Sequence, residues 1–370
     1  MSEKRVHVLQ VTGGLGQGGL ETVAMNIVRY MSPEKYSFDF LVFGDRKNYF
    51  EGEAVELGCN IIKIKKAGNI IAYYRQLVEV IKNNGPYDVV ISHTFMNSGI
   101  VLKAAKKCHV KTCVAYAHSS DRGTKNAVKL ITYKWLRNWL NRYSDLRIAC
   151  SQKAGEYVYG IGKQFHVIGN GIDTEAYRFS QKTRDKVKGM IGIRDELVIG
   201  SVGRLSPEKN QIFLVYVLKE LRELGTNAVL LLVGEGSARE KIEQTVRDNG
   251  LQDYVILTGA RSDVPDLLCA MDVFLFPSLH EGLGICAIEA QASGLRTVCA
   301  DTIPTEVGIT DLASYKSLND GPKSWAEEVR NYQQNSEREK YFKEVSDKGY
   351  SISECIKKLN DLIYLSIINK

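Results

Sequence analysis

The chain has 370 residues, 44% hydrophobic and 25% charged, with a formal net charge of +6. This composition excludes a disordered or low-complexity protein, and at roughly 150 residues per domain it gives room for two domains with their own cores. No apolar run approaches the ~18 residues of a spanning helix, and the eight cysteines form no C-x-x-C pair, which argues against a zinc ribbon or a disulfide framework and fits scattered thiols in a reducing cytosol.

The charge is uneven. Residues 1–180 hold 25 Lys and Arg against 15 Asp and Glu, whereas residues 181–370 hold 24 against 28. A basic half beside an acidic half implies that the first half meets something anionic. No aromatic-basic RNA motif or zinc finger is present, so no nucleic-acid partner is expected and an anionic membrane surface is the better candidate. The N-terminal apolar run is too short for a signal peptide.

The chain opens on an apolar strand, residues 5–12. The glycine-rich turn of residues 13–19 and a helical pattern over 23–31 follow. Gly14, Gly16 and Gly19 satisfy G-x-G-x-x-G between strand and helix, with a second strand at 38–43 ending near Asp45, so a dinucleotide-binding oxidoreductase stays in play. Apolar stretches at 60–64, 88–92, 112–117 and 145–149 read as strands, with helical patterns at 70–83, 97–107 and 151–158 between or after them. This alternation predicts a parallel sheet wrapped by helices. His93 and His118 fall just past strand ends, on the edge where such sheets bind ligands, although a lone histidine there is also at home as an ordinary core residue.

Residues 122–147 interleave Lys125, Lys129, Lys134 and Arg137 with Trp135, Trp139 and aliphatic residues. A basic helix with tryptophans on its apolar side suits a membrane interface, and the same pattern also serves a helix that packs its tryptophans inward. After residues 168–173 (IGNGID, containing Asn170), the polar stretch 174–194 has few large apolar residues and reads as the linker between domains. The βα pattern then restarts, with strands at 197–203, 228–233, 254–258, 271–277 and 296–300. Arg204 and Lys209 follow the first of these, and Gly234 follows the second. A planar fork and a compact charge suit two phosphate groups, and a loop also commonly carries two surface cations. The tail is helical from 351 to 368.

The most informative stretch is 278–294 (SLHEGLGICAIEAQASG), a strand end, a glycine-rich turn at Gly282, Leu283 and Gly284, and a helix start. Backbone amides and the helix dipole collect there, so a phosphate fits. Glu281 and Glu289 bracket the turn, with Glu289 about 7 Å along the helix at ~1.5 Å per residue. Carboxylates on either side of a phosphate site suit a sugar nucleotide, with hydroxyls at both ends. An ordinary βα turn with two solvated glutamates has the same pattern.

Taken together, residues 18–21 (GGLE), 170–173 (NGID), 203–210 (GRLSPEKN), 233–236 (VGEG) and the E-x7-E block from Glu281 to Glu289 resemble a family-four retaining glycosyltransferase of the GT-B fold. Residues 301–307 (DTIPTEV) resemble its bacterial capsular and exopolysaccharide branch. The resemblance implies two Rossmann-like parallel-sheet domains facing across a cleft: an acceptor domain over 1–175, a donor domain over 176–350, and a C-terminal helix, 351–370, returning to the first. It implies that Arg204 and Lys209 hold the donor diphosphate and that Glu289 binds ribose. Glu281 and the amides of Gly282, Leu283 and Gly284 would hold the sugar, and Gly18, Gly19 and Gly234 would lie by the donor. His118 would act near the anomeric carbon on the acceptor side, with Asn170 beside it. Leu283 stands where an aromatic is common and Arg296 where a proline is common. No D-x-D occurs, and protein cations replace a metal in this fold, so neither metal nor cofactor is expected. The implied partners are a nucleotide-sugar, of the UDP type, and a lipid-linked or oligosaccharide acceptor. The expected location is cytoplasmic, peripheral on the inner face of the plasma membrane. An NAD(P) oxidoreductase and a non-catalytic nucleotide-sugar binder remain the alternatives.

Overall fold

A computed structural model describes residues 5–16, 18–44, 48–65, 67–118, 127–331 and 336–368. The chain divides into two compact units, one of residues 1–171 with 352–370 and the other of residues 172–351.

The first unit is built on seven strands, β1 (Val6–Val11), β2 (Tyr36–Phe43), β3 (Asn60–Ile64), β4 (Val89–Ser92), β5 (Thr112–Ala117), β6 (Leu146–Ala149) and β7 (His166–Val167). They lie in the order β3-β2-β1-β4-β5-β6-β7, all parallel. Strands β4 and β5 are buried along their whole length, as expected where helices cover both faces of a parallel sheet. The helix Ile352–Ile368 packs on this unit. It is tied there by Tyr36, whose hydroxyl donates to Asn360 Oδ1 at 2.8 Å, and by Thr112 Oγ1, which donates to the Ser366 carbonyl at 3.3 Å.

The second unit carries β8 (Leu197–Val202), β9 (Ala228–Val233), β10 (Val255–Leu257), β11 (Val273–Phe276), β12 (Arg296–Ala300) and β13 (Ala313–Lys316). Their order is β10-β9-β8-β11-β12-β13, again all parallel. Relative to the first strand of each unit, the second sheet runs 3-2-1-4-5-6, the doubly wound arrangement, and the first runs the same order with a seventh strand at its edge. The winding reverses between β1 and β4 in one sheet and between β8 and β11 in the other. Helices leave those neighbouring strands toward opposite faces and open a crevice at the carboxyl edge, where ligands bind in such folds.

The expectation of a linker at 174–194 fails. Residues Gln181–Met190 form a helix capped by the Ser180 hydroxyl, packed within the second unit. Its anchor is polar, which is why apolar periodicity missed it. Buried Arg184 donates from Nη1 to the carbonyls of Cys269, Ala270 and Met271 at 2.9–3.1 Å, and from Nη2 to Asp272 Oδ1 at 2.7 Å. Asp272 Oδ2 in turn accepts the Val198 amide at 2.8 Å. The Arg184 guanidinium, with that of Arg338 donating to the Leu268, Cys269 and Met271 carbonyls, satisfies the end of the helix Val264–Ala270 and holds the entry to β11. Arg184→Ala would leave the buried Asp272 carboxylate without its cation and the Ala270 carbonyl without its side-chain donor, while Arg338 still donates to the Cys269 and Met271 carbonyls. An equilibrium unfolding experiment is expected to show a loss of about 3–5 kcal/mol.

Candidate functional site

Two loops at the reversal point of the second sheet bring the candidate residues together. The loop after β8 runs through Gly203 and exposed Arg204 into a tight turn at Pro207–Lys209, and the helix Gln211–Glu223 follows. The loop after β11 runs through Ser278 to Gly284 and into the helix Ile285–Ala292. They are stitched by the Leu279 amide donating to the Glu208 carbonyl at 2.8 Å and by Asn210 Nδ2 donating to the Pro277 carbonyl at 3.3 Å. Across this junction Lys209 Nζ forms an ion pair with Glu281 and lies 5.6 Å from the centre of the Phe276 ring. The Arg204 side chain makes no hydrogen bond or ion pair among the described residues.

Two glycines are required by packing. Gly284, which caps the helix Ile285–Ala292, has φ of +94°, and a Cβ there would meet the Phe276 ring at 2.8 Å. Gly234 has φ of +143°, and its Cβ would stand 2.0 Å from the Gly203 carbonyl oxygen. The loops after β8 and β9 run backbone against backbone, with the Leu205 amide donating to the Glu235 carbonyl at 2.9 Å. This contact sets the path of the segment that carries Arg204. Leu283 is buried, so only the backbone of the turn 282–284 is placed to act on a ligand. The first amides of the following helix lack intrahelical partners and carry the positive end of its dipole.

Glu289 lies one turn further along that helix. Tyr177 donates its hydroxyl to Glu289 Oε1 at 2.7 Å, and the Tyr177 carbonyl accepts from Ser293 Oγ at 2.9 Å. Burial pushes the Glu289 carboxyl up to about 7, and the Tyr177 hydroxyl offsets part of that shift. The Tyr177 hydroxyl is itself raised, by burial first and then by the facing carboxylate. Tyr177→Phe is expected to raise the Glu289 pKa further, moving the acidic limb of nucleotide affinity to higher pH. Titrations of nucleotide affinity against pH for both proteins check this, and coincident limbs would refute it.

In the first unit the glycine-rich turn leads into the helix Gly19–Tyr30, with Gly18 at its cap and no side-chain cap bond. The other candidates sit at the carboxyl ends of neighbouring strands. Gln10 lies on β1, His93 directly follows β4 and His118 directly follows β5. His93 Nδ1 lies 2.7 Å from His118 Nε2, and His93 Nε2 lies 3.0 Å from Gln10 Oε1. Burial keeps both imidazoles neutral, pulling His93 down to about 3 and His118 well below its usual value, with His93 adding to the latter. Asn170 is buried in the same unit, its Oδ1 without a partner among the described residues.

The basic segment forms the helix Ala127–Tyr143. Lys125 lies outside the described residues, as does the side chain of Lys129. The inward face is Leu136 and Leu140, with Trp139 partly buried against the same core. Trp135 is 42% and Ile131 70% exposed, and Trp139 packs against Trp135 with the Lys103 ammonium 3.7 Å from its ring centre. Lys134 is exposed. Arg137 turns toward the protein, its Nη2 donating to the Tyr157 carbonyl at 2.8 Å.

Comparison with known proteins fits this arrangement. Residues 17–176 match the family described as Glycosyltransferase Family 4, and residues 196–335 match Glycosyl transferases group 1. EpsF of Bacillus subtilis (strain 168), named as a glycosyltransferase, is 31% identical over 341 residues, which are 89% of this chain and 88% of EpsF. The chain is a family 4 glycosyltransferase. A further relative of this glycosyltransferase is the UDP-Gal:alpha-D-GlcNAc-diphosphoundecaprenol alpha-1,3-galactosyltransferase of Escherichia coli, 27% identical over 84% of this chain and 82% of the relative. The fold of the glycosyltransferase is GT-B. HepE of Anabaena, solved in complex with UDP, superimposes with a TM-score of 0.79 at 18% identity, covering 98% of this chain and 100% of HepE. Sucrose-phosphate synthase from Thermosynechococcus elongatus gives a TM-score of 0.78 at 14% identity over 99% and 100%. Family membership removes the oxidoreductase reading of Gly14, Gly16 and Gly19.

Sequence reading named Lys209, Glu281 and Glu289, and it left open whether His93 has a role. It missed Tyr177 and Gln10. Tyr177 lies in the segment taken for a linker, and Gln10 is a polar residue within an apolar strand, a signal that was present and passed over.

Proposed function

We propose that this glycosyltransferase is a retaining, metal-independent enzyme that moves a sugar from a UDP-sugar to a lipid-linked glycan during exopolysaccharide or capsule assembly. The observation that carries the reading is the convergence of Lys209, Glu281 and the start of the helix bearing Glu289 at the reversal point of one sheet. The relative from Escherichia coli, named for a UDP-galactose donor and a diphosphoundecaprenol acceptor, supports the substrate classes. So do the complexes of HepE with UDP and with UDP-glucose.

In this reading Arg204 and Lys209 hold the diphosphate, Glu289 accepts the ribose hydroxyls, and Glu281 with the amides of residues 282–284 orients the sugar. Gly18 and Gly19 offer close backbone approach to a substrate phosphate, and His118 and Asn170 serve the acceptor side. Breaking the anomeric C–O bond builds negative charge on the diphosphate and positive charge on the sugar ring. Fixed cations and helix-start amides stabilise that leaving group more in the transition state than in the ground state. Attack from the leaving group's own face retains the configuration, and the departing phosphate oxygen takes the acceptor's proton, so no separate protein base is needed. Mass spectrometry of undecaprenyl-diphosphate-linked glycans after incubation with a panel of UDP-sugars tests the reading. A mass gain of one sugar is expected, with the donor's anomeric configuration kept when the product's anomeric proton coupling is read by NMR; no gain with any UDP-sugar would refute it.

The exposed Ile131, Lys134 and Trp135 on one basic helix support attachment to an anionic membrane face on the cytoplasmic side. Cosedimentation with phosphatidylglycerol-containing vesicles is expected for the wild type and lost in an Ile131→Asp, Trp135→Asp double variant. Equal cosedimentation of both would contradict it.

A further inference from the structure

We propose that Gln10 and His93 are positioning residues that fix His118 in a single tautomer, so that His118 meets its substrate as a hydrogen-bond acceptor for a sugar hydroxyl. The inference rests on the reading of His118 as a substrate-side residue and adds to it the direction of its hydrogen bond and the residues that set that direction.

The argument runs from one fixed amide. Gln10 Nε2 lies 3.0 Å from the Ala24 carbonyl oxygen. A carbonyl only accepts, so the amide nitrogen must be the atom facing it. The amide oxygen of Gln10 therefore faces His93 Nε2, at 3.0 Å, and accepts its proton. His93 is neutral and buried, so with Nε2 protonated its Nδ1 carries a bare lone pair. The partner of that lone pair is His118 Nε2 at 2.7 Å, which must then be the protonated nitrogen of His118. The remaining nitrogen, His118 Nδ1, is left as an acceptor.

That nitrogen is buried and has no hydrogen-bond partner among the described residues. Buried polar atoms are nearly always paired, and an exception calls for an explanation. The Tyr116 ring stacks on His118 at a centroid distance of 4.3 Å and His93 holds its Nε2 edge, so the imidazole has little freedom to turn away. A neutral ring with its lone pair outward takes an O–H or N–H. It repels a phosphate or carboxylate oxygen, which separates this site from the cationic one on the second unit. Of the groups a glycosyl transfer supplies, a sugar hydroxyl fits.

The relay extends through the unit. Gln10 is anchored to the helix Gly19–Tyr30, which begins at the glycine-rich turn, so the position of that helix and the tautomer of His118 are linked through two side chains.

Nitrogen-15 NMR of the full chain labelled at histidine reads the tautomers directly. The expected result is a neutral His118 with Nε2 protonated and Nδ1 bare in the wild type, changing to a tautomer mixture in Gln10→Leu and in His93→Leu. A wild-type His118 carrying its proton on Nδ1, or an unchanged spectrum in both variants, would overturn the proposal. Kinetics with UDP-glucose as the probe, following UDP release by hydrolysis and by transfer, give the functional arm. In Gln10→Leu and His93→Leu, kcat is expected to fall roughly 10- to 100-fold, the scale of a misplaced active-site group, with donor KM unchanged. His93→Asn, whose amide oxygen can stand where Nδ1 stood, is expected to recover much of the loss. Full turnover in His118→Phe would remove the substrate-side reading and the proposal with it. Loss in His118→Phe beside wild-type kcat in Gln10→Leu would remove the relay alone. A fall in both hydrolysis and transfer assigns the hydroxyl to the donor sugar, and a fall in transfer alone assigns it to the acceptor; either upholds the proposal.

Discussion

Lys209→Ala is expected to lower kcat by roughly 100- to 1,000-fold, the cost of removing one fixed group that stabilises developing negative charge, while leaving the unfolding temperature nearly unchanged. The Lys209 ammonium is held by Glu281 at the mouth of the second sheet. Its pKa is raised: burial works against the charged form, and Glu281 more than offsets it. The lysine therefore keeps its charge across the working pH range and can meet a diphosphate without a change of protonation. Its own contribution to folding is small, because the side chain remains 26% exposed and its partner 10% exposed, and part-exposed ion pairs contribute little. Steady-state kinetics with thermal unfolding on the same preparations separates the outcomes. A collapse in unfolding temperature with intact turnover per folded molecule would make Lys209 structural.

Glu289→Gln is expected to weaken UDP affinity at pH 8 and to abolish the dependence of that affinity on pH near 7. In the wild type the carboxyl titrates at about 7. Below that pH it is protonated and accepts poorly from ribose hydroxyls; above it the carboxylate accepts both. Donor affinity should therefore rise as pH passes upward through 7 in the wild type and stay flat in the variant. Stability has the opposite sign. A carboxyl whose folded pKa lies above its ordinary value of 4.5 takes up a proton on folding. It therefore costs stability progressively as pH rises from about 4.5 to about 7, by at most about 3 kcal/mol. Glu289→Gln keeps the acceptor for the Tyr177 hydroxyl and removes that cost, so its unfolding temperature should exceed the wild type's at pH 8 and match it near pH 5. A variant that loses both affinity and stability at pH 8 would place Glu289 in the core framework.

The two sheets were readable in the sequence because parallel strands covered on both faces are nearly continuous apolar runs. The stretches at 60–64 and 112–117 became β3 and β5 with those bounds. The turn at 282–284 was readable because only glycine takes the left-handed backbone of Gly284 beside the Phe276 ring. The helix Gln181–Met190 was not, because a buried guanidinium on four acceptors leaves no apolar stripe to count. Tyr177 was unreadable for a related reason. Its partner Glu289 stands 112 positions away, and no local pattern reports a contact made by the tertiary fold. The two alternatives left open for the tryptophan helix divide between its tryptophans, with Trp135 exposed and Trp139 partly buried against the core. Two leucines at a spacing of four, Leu136 and Leu140, take the inward face, and Lys103 covers Trp139.

The central claim is that the second unit grips a nucleotide diphosphate through the loops after β8 and β11. Calorimetric titration of UDP into the wild type and into an Arg204→Ala, Lys209→Ala double variant tests it most directly. One saturable site per chain in the wild type, lost in the folded double variant, is the expected result. Undiminished UDP binding in that variant would contradict the account.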